Sequence, residues 1–276
     1  MTTLWQASQQ LQQQASTPGA FTEAALNAAQ DSDKEGAQVF TRRYAAQAIQ
    51  QASEAEARWQ AQRALSAIDG LPVSIKDLFD VKGEPTTAGS RLLADAPAAE
   101  ANASVVERLN QAGAAIVGKT NMTEFAFSGL GINPHFGTPA NPWRRAEKRI
   151  PGGSSSGAAV AVADGMCLGA IGTDTGGSVR IPAALCGLTG FKPTAYRIEQ
   201  AGTLPLSTSL DSIGVIAHDV RSCWLLDSVI AERPLELQPQ DLRHARFAVP
   251  QSRVLDGLDA TVAEAWQREI GRASCR

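Results

Sequence analysis

The chain has 276 residues, long enough for one large α/β domain or two small ones, and its 43% hydrophobic and 19% charged residues exclude wholesale disorder and fibrous repeats. Its 25 Lys+Arg against 28 Asp+Glu give a net charge of −3, and the basic residues are scattered rather than gathered into a stripe, so nucleic acid is not expected as a direct ligand. Cys167, Cys186, Cys223 and Cys275 form no CxxC pair and the three histidines are isolated, so reduced thiols, no metal site and no cofactor are expected.

The opening MTTLWQASQQLQQQ has neither a basic start nor an apolar h-region, and no 18-residue apolar run occurs, so the expectation is a cytoplasmic protein without a membrane span. Residues 1–66 are rich in Ala and Gln, with Phe40, Tyr44, Ala48 and Ala52 at helical spacing; they are expected to be an N-terminal helical segment wrapping something larger. From Leu71 the texture changes. The short apolar runs LPVSI, AAIVG and LGAIG alternate with helical stretches at 104–111 and 155–163, which predicts an α/β layered domain with a largely buried sheet. This core is expected to run over 67–276, with helices at 221–231 and 260–270 around a strand at 246–249. The last residues, EIGRASCR, can be written back into DNA as the start of a widely used sequencing adapter. Residues from about Ile270 onward are therefore expected not to be protein-coding in origin, and the native chain to continue with a different C-terminal part.

Three segments carry candidate chemistry: SIKD at 74–77, PGGSSSG at 151–157 and GTDTGGSVRIP at 172–182. Lys76 follows LPVSI where a strand enters the interior; burial disfavours the charged amine, and a neutral amine can accept a proton. The bland alternative is a strand-end lysine whose head reaches solvent. GGSSSG is a flexible turn or an anion-binding nest, and it is no P-loop because no Lys follows its last glycine. In GTDTGGSVR two glycines precede Ser178 and let backbone approach a ligand, so the N–H groups of Thr175, Gly176, Gly177 and Ser178 are a candidate oxyanion hole. The alternative there is a tight turn capping a helix.

Taken together, the three segments resemble the amidase signature family of Ser-cisSer-Lys amidohydrolases over roughly residues 70–219. The family's GxPxxxKD reads GLPVSIKD here, and its Pro-Gly-Gly-Ser-Ser and Gly-Thr-Asp-x-Gly-Gly-Ser-x-Arg-x-Pro stretches both follow. The interval from Ser154 to Ser178 is the one the family keeps between its two serines, and KTNMTEF, TPANPW and GFKPT look like further landmarks. The resemblance implies a mixed β-sheet covered by helices on both sides. It also implies that Ser178 is the acyl-forming nucleophile, Ser154 its proton relay after a cis Gly153–Ser154 bond, and Lys76 the general base. Asp174 and Arg180 would support the turn, and Ser155 would hydrogen-bond near Lys76 or Ser154. The implied reaction is hydrolysis of a small-molecule carboxylic amide to acid and ammonia, with a homodimer left open. Ser156 and Ala158 stand where many members have Gly and Ser, which argues against closeness to the glutaminase subunits of tRNA-dependent amidotransferases; such a subunit is the alternative, and a free-standing amidase is expected because no feature of the sequence demands an ammonia channel.

Other readings are weaker. A Ser-His-Asp hydrolase would need His135, His218 or His244 beside a serine, and no G-x-S-x-G elbow occurs. Cys186 as nucleophile competes with the commoner role of a small buried residue. A different class of reading is an inactive remnant that retains the motifs without the sheet and pocket parts supplied by the family's C-terminal portion. The loop GLGINPHFGTP at 129–139 is expected to border the site, with His135 packing rather than catalysing.

Overall fold

The computed structural model describes residues 1–231, 246, 248–249 and 253–274. They fall in two compact units, Met1–Leu235 and Glu236–Arg276. At the centre of the first are β2 (Pro72–Lys76), β3 (Ala115–Thr120) and β4 (Gly169–Asp174), each buried at every position. Strands covered by helices on both faces have no solvent side to alternate towards, so they read as near-continuous apolar runs. These three pair in parallel in the order β3-β2-β4. An antiparallel strand, β6 (Ser212–Ala217), continues from β4, β5 (Thr189–Phe191) follows on β6, and β1 (Phe40–Arg43) lies antiparallel on the far edge against β3.

The helices follow from their patterns. In α1 (Leu4–Gln12), a Thr3 capping box starts the helix and Leu4, Ala7 and Leu11 reach the core; Trp5 meets Trp224 edge-to-face at 5.8 Å. Pro18 opens α2 (Pro18–Gln30), α3 (Gly36–Val39) is a single turn, and α4 (Ala45–Gln60) buries Ala48, Ala52 and Ala55. Helix α5 (Ser104–Gln111) matches the sequence expectation, as does α6 (Ser156–Ala163), whose small apolar residues on all sides suit a helix almost wholly inside the core. After α7 (Arg180–Leu185) comes α8 (Val220–Ile230), started by an Asp219 cap.

Two expectations change. Residues 1–66 are not only helical wrapping: they supply the edge strand β1, so Phe40 is a strand residue while Ala48 and Ala52 are helical, and the segment shares one unit with the core. The strand expected at 246–249 includes Phe247, which lies outside the described residues; Arg246, Ala248 and Val249 are not in a strand. In the second unit, a 3-10 turn at Arg253–Leu255 precedes α9 (Ala260–Ser274). No helix among the described residues is long and apolar enough to cross a membrane.

Candidate active site

The parallel register of β2 and β4, with Ile75 opposite Ile171, brings the C-terminal ends of both strands to one edge of the sheet. Lys76 ends β2 there and is fully buried. Its Nζ donates to Ser154 Oγ at 2.7 Å and to Thr173 Oγ1 at 3.0 Å. Burial pushes the amine down to about 7, with the negative charges of Asp174 and Asp211 acting the other way. Near neutral pH a large share of this lysine is therefore an uncharged amine, able to accept a proton. The strand-end lysine reaching solvent is ruled out.

Ser154 sits just before α6, and the Gly153–Ser154 peptide bond is cis, as the resemblance implied. Its carbonyl accepts from Thr123 N at 3.0 Å, and Gly153 N donates to Gly129 O at 2.8 Å, so the loop 129–139 does border this segment. Gly131 shows how close the approach is. With φ at +83°, a Cβ there would lie 2.2 Å from Gly152 O, so only glycine fits. Ser155 departs from expectation: its buried hydroxyl bonds to neither Lys76 nor Ser154 and has no hydrogen-bond partner. The side chain packs over Gly172 instead, where a Cβ would stand 2.6 Å from Ser155 Oγ, and it is the Ser155 backbone N–H that serves the site by donating to Ser178 O at 3.1 Å.

That last bond brings the third segment to the other two. Beyond β4, Thr175, Gly176, Gly177 and Ser178 form a turn leading into α7, with Gly177 at φ +135° and Ser178 only 7% exposed. Among the described residues, nothing accepts from the N–H groups of Gly176, Gly177 or Ser178, so they are free to meet a ligand oxygen. Asp174 holds the turn from below. One of its oxygens accepts from Val179 N at 3.2 Å and Arg180 N at 3.3 Å, and its carboxylate takes a two-pronged ion pair from Arg180 at 2.9 and 2.8 Å. Burial alone would raise this carboxyl, but the Arg180 bonds and the two backbone N–H groups keep it below its usual range.

The competing candidates sit elsewhere. His135 Nε2 pairs with Glu124 at 3.1 Å, and Glu124 also accepts from Ser90 at 2.6 Å, which fits packing. His218 is pushed down by burial and its Nε2 is unpaired; His244 lies outside the described residues. Burial drives the Cys186 thiol up to about 12, and it contacts Pro151 O at 3.5 Å, a poor setting for a nucleophile. Two residues at the site escaped the sequence reading. Thr173 stands inside a motif, but only the strand register brings it to Lys76. Asp211 lies outside every motif yet accepts from Thr175 Oγ1 in the turn.

The family model for Amidase matches residues 20–272. The chain is 42% identical over 216 residues to the 2-amino-5-chloromuconic acid deaminase of Comamonas testosteroni, covering 75% of this chain and 46% of the relative. It is 40% identical over 237 residues to the A-type subunit of the glutamyl-tRNA(Gln) amidotransferase from Chloroflexus aurantiacus, covering 81% of this chain and 48% of the relative. A crystal structure of an amidase superposes with a TM-score of 0.78 at 38% identity, over 86% of this chain and 53% of that chain. The chain thus spans about half the length of the curated relatives it matches. The two identities are nearly equal, so overall similarity does not set the chain apart from the amidotransferase relative. Matched across most of its length, and with its three segments folded onto one sheet edge, the chain belongs to the amidase family.

Proposed function

We propose that the protein hydrolyses a carboxylic amide to acid and ammonia through an acyl-enzyme on Ser178. The observation that carries this reading is the 2.7 Å bond between Ser154 Oγ and a buried Lys76 whose amine sits at about 7. Ser178 Oγ attacks the amide carbon while its proton passes to Ser154, and the Ser154 proton passes to Lys76 Nζ. The carbonyl electrons move onto the oxygen, where the N–H groups of the turn from Thr175 to Ser178 receive it; removing one such donor elsewhere costs roughly 3 kcal/mol. When the tetrahedral intermediate collapses, the C–N bond breaks and the leaving nitrogen takes the proton back along the same relay. Water then attacks the ester by the same path and releases the acid. Asp174 and Arg180 keep the turn in place throughout.

A second reading gives the same chemistry to the ammonia-releasing component of an amidotransferase, supported by the 40% identity to the Chloroflexus aurantiacus relative over 81% of this chain. The test is ammonia release by the full-length protein from a panel of amides, glutamine included, alongside Ser178→Ala and Lys76→Ala. Activity lost in Ser178→Ala and strongly reduced in Lys76→Ala supports the first reading; glutaminase activity that appears only with companion chains supports the second. Activity that survives Ser178→Ala overturns both.

A further inference from the structure

Asp211 stands just before β6, buried at 5% exposure and outside every segment that the chemistry drew attention to. One of its oxygens accepts from Thr175 Oγ1. The other accepts from Leu206 N at 2.9 Å and Ser207 N at 3.0 Å, while its backbone carbonyl accepts from Gln200 Nε2 at 2.7 Å. A cap for its own loop would need only the two N–H bonds four and five residues back. The bond to Thr175, 36 residues away in sequence, serves something else. A carboxylate held mainly by neutral donors is costly to bury, so its place between two loops calls for a reason. The two loops are the turn carrying the free N–H groups and the stretch 203–210, whose Leu206 and Leu210 side chains remain exposed.

We propose that Asp211 is a positioning residue for acyl transfer, one carboxylate that fixes the Thr175–Ser178 turn to the 203–210 loop. The inference rests on the amidohydrolase reading of this site. Through Thr175 Oγ1 it sets the angle at which the N–H groups of Gly176, Gly177 and Ser178 meet the oxyanion, and hydrogen-bonding geometry of this kind must hold within a few tenths of an ångström to be effective. Its charge reaches Lys76 as well. Among the described residues, the charged groups that act on that amine are Asp174, neutralised in part by Arg180, and Asp211; the Asp77–Lys119 ion pair lies alongside, Ser154 and Thr173 are its neutral neighbours, and Lys192 Nζ lies beside the next residue after Asp211, 3.4 Å from Ser212 Oγ. Asp174 and Asp211 both oppose the burial that lowers Lys76.

The two roles separate by mutation. A fluorophosphonate probe that phosphonylates the activated serine and expels fluoride reports on the relay without knowledge of the substrate. Its labelling rate on the full-length protein would be followed against pH for wild type, Asp211→Asn, Thr175→Val and Ser178→Ala, with thermal unfolding of each as a folding check. Thr175→Val removes the link without touching charge: labelling slows by about tenfold with the pH midpoint unmoved. Asp211→Asn slows labelling too, and the loss of a nearby negative charge moves the midpoint down by about half a pH unit. Wild-type rates in Thr175→Val or in Asp211→Asn would make Asp211 a loop cap and overturn the proposal. Wild-type protein that the probe does not label overturns the Ser178 reading itself, and the inference falls with it.

Discussion

Two lysines lie side by side in the sheet, Lys76 at the end of β2 and Lys119 in β3, where Ile75 pairs with Lys119 and Lys76 with Thr120. Both are buried, at 0% and 1% exposure, so burial alone cannot distinguish them. Their neighbours do. Lys119 has the Asp77 carboxylate at 3.5 Å and the Pro85 carbonyl at 3.5 Å, and Asp77 in turn accepts from Thr87. Lys76 has two hydroxyls and no carboxylate in ion-pair range among the described residues. An opposite charge at contact stabilises an ammonium in the interior, whereas hydroxyls leave the desolvation cost largely uncompensated. One lysine is thus built as half of an ion pair, its neighbour suits the proposed role of base, and consecutive residues, Lys76 and Asp77, serve the two arrangements.

The contrast can be broken at several points. The largest effect should be on turnover: Lys76→Met in the full-length enzyme is expected to lower kcat/KM by about 10⁴-fold or more, as loss of a relay base does elsewhere. Next is the partner lysine. Lys119→Met leaves Asp77 buried without its counter-charge and should cost about 3–5 kcal/mol in urea unfolding, while the double variant Lys119→Met/Asp77→Leu should recover most of that loss. Third, the same Lys76→Met that destroys activity should stabilise the fold at pH 7, by about 1–3 kcal/mol, since it removes a buried amine that water would charge. The sign follows from linkage. Lys76 titrates near 7 when folded, below its ordinary value, so between the two the unfolded chain binds more protons and wild-type stability rises with pH. Unfolding midpoints of wild type and Lys76→Met should therefore differ at neutral pH and converge at alkaline pH. Smallest is Thr173→Val, which removes the hydroxyl that accepts from Lys76 Nζ and should lower kcat by about tenfold with KM little changed. An unchanged kcat there would show that Ser154 alone orients the amine.

Much of this arrangement was legible from local pattern. Lys76 and Ser178 each follow an apolar run and Ser154 stands just before one; the first two runs are parallel strands of the sheet and the third is α6, in the stretch where the texture predicts a helix. What stayed hidden depends on pairing and on rotamers. The edge strand β1 is only four residues long with one buried position, so FTRR offers too little alternation to announce itself. Thr173 and Asp211 matter through register and through a bond across 36 residues, neither of which can be read without the fold. For Ser155, a motif implied a side-chain role, while its hydroxyl turns over Gly172 and only its main chain reaches Ser178.

The depth of Lys76 has one more consequence. With no surface of its own and Ser154 also fully covered, the amine does not touch bulk water. Under the proposed relay, the hydrogen taken from the nucleophile is kept inside the protein until the departing nitrogen claims it.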